Sequence, residues 1–131
     1  MNILDYIKEL LIADVYIQTI VNDRVYFIRT TESSDKSKPF ILMRSLNGEP
    51  STFVSDKYLS ETFFVQIDVQ SSKYDISLKV ANRIRKILWT NGFKQEGKEF
   101  DEYFEETNKY VLARKYLGIP KNKYYKGELV E

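Results

Sequence analysis

The sequence predicts an α+β domain, with an antiparallel or mixed β-sheet of about four to five strands and two main helices packed on one face. Three observations carry this prediction. The run TFFVQIDVQ at residues 62–70 alternates with the two-residue period of a strand, placing Phe63, Val65, Ile67 and Val69 on one face and Thr62, Phe64, Gln66, Asp68 and Gln70 on the other. Directly after it Ile76, Val80, Ile84, Ile87 and Leu88 recur at helical spacing, so strand and helix turn matching apolar faces to one another. The order along the chain is helix, three strands, helix, then hairpin and strand, without an internal repeat.

Each element has a local reason. Asn2 stands where a helix cap is needed, Ile3, Ile7, Leu10 and Leu11 form an apolar stripe, and Asp5, Lys8 and Glu9 face away. Residues 14–20 extend this helix as a further short turn. Asn22 and Asp23 then punctuate the chain before RVYFIRT at 24–30, a strand rich in β-formers. Residues 31–38, TESSDKSK, are polar and small between two β-like runs and read as a hairpin loop. Pro39 opens the next strand, FILMRS at 40–45, and NGEP at 47–50 closes it. Residues 51–60 follow neither period, although Phe53, Val54, Tyr58 and Leu59 are apolar, and read as a long loop with apolar content.

In the second half, Ser72 and Asp75 resemble a capping box for the long helix, and Gly92 supplies its stop. Residues 93–106 contain a hairpin turn at Glu96, Gly97 and Lys98, and residues 108–117 form the last strand, ended by Gly118 and Pro120. The tail at 121–131, with Lys121, Lys123 and Lys126 around Tyr124 and Tyr125, reads as an arm that orders against a partner. The division expected is therefore one α+β domain at 1–120 and a C-terminal arm at 121–131.

Composition narrows the chemistry. With 43% hydrophobic and 15% aromatic residues the chain forms a packed core despite 30% charged residues. Its 20 Lys and Arg nearly cancel 19 Asp and Glu, so no global field draws it to nucleic acid or an anionic membrane. No apolar run approaches a bilayer span and the N-terminus lacks the layout of a signal peptide, which places the expected site of synthesis and residence in a cytoplasm. The absence of Cys and His removes disulfides, thiolate nucleophiles, imidazole bases and the usual zinc sets, so no metal or cofactor is expected.

Four constellations remain. Glu96, Glu99, Asp101, Glu102, Glu105 and Glu106 precede residues 107–126, which carry Lys109, Arg114, Lys115, Lys121, Lys123 and Lys126 and no acid. Such segregation fits either cross-strand pairing within one chain or an acidic edge meeting the basic edge of a neighbouring copy. Lys79, Arg83 and Lys86, with Arg85 nearby, could track phosphates, although a solvated helix face is the simpler account for a neutral chain without interleaved aromatic stacking. Asp68 followed by Glu96-Gly97-Lys98 has the acid-then-E-x-K order of metal-dependent nucleases of the restriction-enzyme fold, but with Gly in an expected turn. Finally, ten Tyr, eight Phe and one Trp exceed what one core requires, and Tyr is well suited to protein interfaces.

An N-terminal helix, a strand at Arg24, Val25 and Tyr26, a Pro-led strand at residues 39–44, then VQIDV at 65–69 running into a helix over 74–88, resembles the tail terminator proteins of long-tailed bacteriophages. These are also called tail-completion or tail-to-head joining proteins. The likeness spans about residues 3–119. It implies a non-enzymatic structural protein that assembles as a homohexameric ring, caps the tail tube, stops its polymerisation and meets the head connector or completion protein, with DNA passing unread. It implies a location in the tail or neck of a virion, and the host cytoplasm during assembly. The alternatives are a head-completion or adaptor protein of the neck and, last, the Mg²⁺-dependent nuclease. On this reading Asp101, Glu102, Glu105, Arg114 and Lys115 are candidates for contact between subunits. Ser33, Asp35, Lys36, Phe53, Lys57 and Tyr58 are candidates for loops docking on tube or connector. Gln66, Asp68 and Gln70 are candidates to line a channel, or are simply exposed to solvent.

Overall fold

The structure is a computed structural model that describes residues 3–27, 37–46 and 62–119. The expected cap at Asn2, most of the 31–38 loop, the 47–59 loop and the arm at 121–131 lie outside the described residues. Three helices are formed, α1 (Ile3–Ile12), α2 (Val15–Val21) and α3 (Tyr74–Thr90), with five strands, β1 (Val25–Phe27), β2 (Phe40–Ser45), β3 (Phe63–Ser71), β4 (Phe93–Phe104) and β5 (Lys109–Gly118). The strands make one mixed sheet in the order β1-β2-β3-β5-β4, and the α+β class read from the sequence holds.

The core lies between the helices and one face of this sheet. Val65, Ile67 and Val69 of β3 are fully buried in one cluster with Val80, Ile84 and Leu88 of α3, as the two periodicities require. Ile41 and Met43 of β2, Leu112 and Tyr116 of β5, and Ile3, Ile7 and Leu11 of α1 complete it. Leu4 and Tyr6 of α1 are also buried, whereas Leu10 is only half-buried.

Several local expectations give way. Residues 14–20 are not a continuation of α1 but a separate helix, because Asp14 caps it: backbone N–H of Ile17 donates to Asp14 Oδ2 at 3.1 Å. The other oxygen of Asp14 accepts from Nε and Nη2 of Arg83 at 3.0 and 2.7 Å, tying α2 to α3 and holding the Asp14 carboxyl below the usual carboxylate range. The start of α3 is also held differently. Lys73 occupies its cap without a side-chain bond, and it is Ser71, not Ser72, whose hydroxyl accepts from Lys73 N at 3.1 Å and meets the buried Ser77 hydroxyl at 2.6 Å.

The hairpin expected between the first two strands is absent, since β1 and β2 are parallel, with Val25 opposite Ile41 and Phe27 opposite Met43. Arg24 fixes this arrangement. Its Nη2 donates to Ile20 O at the end of α2 at 2.8 Å and its Nε to Pro39 O at 2.9 Å, drawing the starts of both strands to the same end of the sheet. The turn expected at Glu96, Gly97 and Lys98 is likewise not a turn. β4 runs through it, and Gly97 at φ 75° serves a bulge where the register with β5 shifts between Glu96 and Phe100. The chain reverses later, at residues 105–108, where Asn108 takes φ 61° and the hydroxyl of Tyr103 bonds its side-chain oxygen.

Gly118 is where three elements converge. It pairs with Phe63 of β3 and Phe93 of β4, and a Cβ there would stand 2.1 Å from Gly92 O and 2.6 Å from Phe93 Cα. Both obstacles are backbone, so Gly118→Ala should destabilise the fold by about 2 kcal/mol or more in urea unfolding. At Gly97 no atom lies within 4 Å of an added Cβ, and Gly97→Ala should cost only the backbone term, about 1 kcal/mol. The reverse order would mean that the β4–β5 pairing seen here is not the one in solution.

Candidate functional site

Facing away from the helices, the register aligns Leu42, Asp68, Ala113 and Phe100 in one row across β2, β3, β5 and β4. This face is not the solvated surface that the alternation of β3 leads one to expect. Leu42 is 8% exposed, Asp68 5% and Ala113 8%, and Phe40, packed against Tyr26 at 5.8 Å between ring centroids, is 2% exposed. Asp68 is thus a buried carboxylate on the outer face. Gln66 Nε2 donates to its Oδ1 at 2.9 Å, and Arg44 Nη2 stands 3.6 Å from its Oδ2. Burial pushes its carboxyl up from the usual range, and the Gln66 bond and the Arg44 charge offset part of that push. Beside it Gln66, Gln70, Phe100, Phe104, Glu106 and Thr107 border a shallow groove of about 390 Å³.

The acid-then-E-x-K order does not assemble into a metal site. Glu96 stands opposite Lys115 and Asp68 opposite Ala113, with β5 between their strands, a separation of roughly 10 Å at the usual strand spacing. Glu96 pairs instead with Lys94 at 3.6 Å. Among the described residues no three acidic side chains converge to hold a metal ion.

Of the charges segregated between residues 96 and 115, Arg114 closes within the chain on Asp101 and Glu99. Arg114 shares the helix-facing side of β5 with Leu112 and Tyr116 and is 4% exposed. Its Nη1 donates to Asp101 Oδ1 at 2.5 Å and to Ala113 O at 3.1 Å, its Nη2 to Asp101 Oδ2 at 3.5 Å, and Glu99 stands 3.8 Å away. Glu102, Glu105 and Lys115 remain exposed. The sequence carried the signal for Arg114, since it falls on the same parity as Leu112 and Tyr116, but its charge argued for the surface.

One surface feature escaped the sequence reading. Trp89 is 67% exposed near the end of α3, and two grooves of about 450 and 570 Å³ share it with Phe93 and Lys94. Arg85 and Lys86 border the larger and Ile119 the smaller. The signal was there in the helical phase, because Leu88 points inward and its successor cannot. In the basic stripe of α3, Arg83 is engaged by Asp14, which leaves Lys79, Arg85 and Lys86 on the exposed face. Ser33, Asp35, Lys36, Phe53, Lys57 and Tyr58 lie outside the described residues.

Two consequences for stability follow from the buried charges. With a folded value raised above the unfolded one, Asp68 keeps a proton in the native state that the unfolded chain has lost, so stability falls as pH rises through that window. Asp68→Asn should remove this slope and raise stability at pH 7 by on the order of 1 kcal/mol, read from urea midpoints between about pH 4 and 8. Asp101→Ala should act oppositely, costing about 3 kcal/mol because it strips Arg114 of its nearest counter-charge in a buried position.

No family model and no curated protein sequence matches the chain. Among solved structures, a chain of the "Virion of native gene transfer agent (GTA) particle" has a similar fold, with a TM-score of 0.58 and 10% identical residues over 92% of this chain and 95% of that one.

Proposed function

We propose that this protein is a structural component of a virion, acting as a tail terminator that forms a homohexameric ring on the end of a tail tube. The observation that carries the reading is the fold likeness to a virion chain over nearly the full length of both molecules. It is supported by the VQIDV strand running into α3, the layout that resembles tail terminators of long-tailed phages. The side chains agree with a scaffold rather than a catalyst. The buried carboxylate, Asp68, is taken up by an amide and a guanidinium, and among the described residues no three acidic side chains converge with it to hold a metal ion.

In this role the ring caps the tube, stops its growth and presents its other surface to a head connector or completion protein, in the tail or neck of the particle and, before that, in the host cytoplasm. The loops carrying Ser33, Asp35 and Lys36 and Phe53, Lys57 and Tyr58 are the proposed docking segments. Residues 121–131 are the proposed arm, ordered on assembly beside a domain at 1–120. Gln66 and Gln70 are the channel-facing candidates, half-buried on the outer face, with Asp68 between them supporting Gln66 from a buried position.

Purified protein mixed with the cognate tail tube protein should give six-membered rings by native mass spectrometry, and capped, length-arrested tubes by negative-stain microscopy. Monomer at every concentration, with tubes that keep growing, would overturn the proposal. Binding to connector rings but not to tubes would move the protein to head completion or neck adaptation. Mg²⁺-dependent DNA cleavage lost in Asp68→Ala would restore the nuclease.

A further inference from the structure

Among the described residues the large exposed apolar side chains gather at the two ends of the β4–β5 hairpin, with Val15 standing apart. Toward the turn are Phe100, Tyr103 and Phe104, joined by Tyr74 of α3 through the ring contacts of Tyr103 and Tyr74 with Tyr110 at 4.7 and 5.5 Å. At the base are Trp89 and Ile119. The exposed charges divide in the same way. Glu102, Glu105 and Glu106 surround the turn, with Lys109 opposite Phe104 as a counter-charge. Arg85, Lys86 and Lys94 surround Trp89, with Glu96 paired to Lys94.

We infer that the acidic, aromatic tip of the β4–β5 hairpin of one copy docks into the basic Trp89 groove of a second copy. The inference rests on the ring-forming reading above and names its contact. Charge complementarity selects a second copy as the occupant, because each molecule carries both halves of the match. Geometry prevents the halves from meeting within one molecule. β4 is 12 residues long, so at about 3.3 Å per residue its two ends lie roughly 30 Å or more apart on a single hydrogen-bonded hairpin. A contact between opposite ends of identical molecules is head-to-tail, and it closes into a ring when the rotation between copies permits. Trp, Tyr and Arg are the side chains that dominate such contacts, and the grooves of about 450 and 570 Å³ beside Trp89 have the volume to receive one. The basic partner is therefore not the pair Arg114 and Lys115 expected from the sequence, since Arg114 is buried against Asp101, but the set around Trp89.

The chain has no cysteine, so an introduced pair reports without interference. Full-length protein carrying Lys86→Cys with Glu105→Cys should give a ladder of disulfide-linked oligomers on mild oxidation. Either single variant should stop at dimer, and Glu105→Cys paired with Glu9→Cys on α1 should give no ladder. Charge reversal supplies a second reading. Glu105→Lys with Glu106→Lys, and separately Lys86→Glu with Lys94→Glu, should each weaken self-association by at least about tenfold in sedimentation. Mixing the two variants should restore it, because every tip then meets a groove of opposite sign. Rings that form without the cross-link overturn this contact and leave the ring reading standing. A ladder that grows without closing supports the contact and removes the six-membered ring. A ladder equally strong in the Glu9 control, or no cross-link and no assembly, overturns the contact.

Discussion

Burial of Val65, Ile67 and Val69 against Val80, Ile84 and Leu88 is the interaction on which the other elements depend. These six side chains are at most 1% exposed, and each is worth about 1.5 to 3 kcal/mol on removal from water. β3 holds the middle of the sheet, with β2 on one side and β5 on the other, so fixing β3 beneath α3 sets the plane for the whole layer. The remaining helices are fitted to that plane by directed contacts. Asp14 caps α2 and grips Arg83 of α3, while Arg24 joins the end of α2 to the starts of β1 and β2. Apolar burial positions the long helix and strand, and charge-assisted hydrogen bonds orient the short elements around them.

The same alternation that makes one face of β3 apolar forces Gln66, Asp68 and Gln70 onto the other, and that face is itself partly removed from water. Asp68 therefore carries a desolvation penalty, relieved only in part by one amide bond and a guanidinium at 3.6 Å. Arg114 makes the opposite compromise on the inner face, buried but closely matched by Asp101. Among the described residues the sheet thus contains two buried charges on opposite sides, one well compensated and one poorly. The poorly compensated one lies beside the open groove bordered by Phe100 and Phe104.

What the sequence made legible was what depends on periodicity. The strand read at 62–70 and the helix read over 74–88, which the structure forms as Phe63–Ser71 and Tyr74–Thr90, the inward faces of both and the α+β class follow from apolar spacing, because burial on one side is a strong and repetitive constraint. What failed depends on single residues whose signal has more than one meaning. Gly97 marks a positive φ, and a positive φ suits a bulge as well as a turn, so punctuation could not show that β4 continues to Phe104. A polar run between two β-like segments reads as a hairpin, yet the parallel pairing of β1 and β2 is held by Arg24, which joins the carbonyl of Ile20 one turn before it to that of Pro39 at the start of the next strand. Among the site residues, the pairing of Asp101 with Arg114 was one of two readings that composition left open. The exposed Trp89 was hidden because a lone aromatic at the end of an amphipathic helix is ordinarily assigned to the core.

Near-neutrality of the whole chain concealed how its charges are distributed over the fold. A sum of 20 positive and 19 negative side chains reports no preference for partners, but the sum discards position. The hairpin restores position. Because β4 runs unbroken past its bulge, the acids that follow Phe100 are carried far from Lys94 at its start, and among the described residues the ion pairs between β4 and β5 are those of Arg114 with Asp101 and Glu99. The acids beyond them have no equivalent row of cations on β5, since Val111 and Tyr110 stand opposite Glu102 and Tyr103. A continuous strand at that point therefore converts a segregated sequence into a hairpin whose two ends differ in sign. Had Gly97 formed the turn, acid and base would have folded back upon each other and the two ends would be alike.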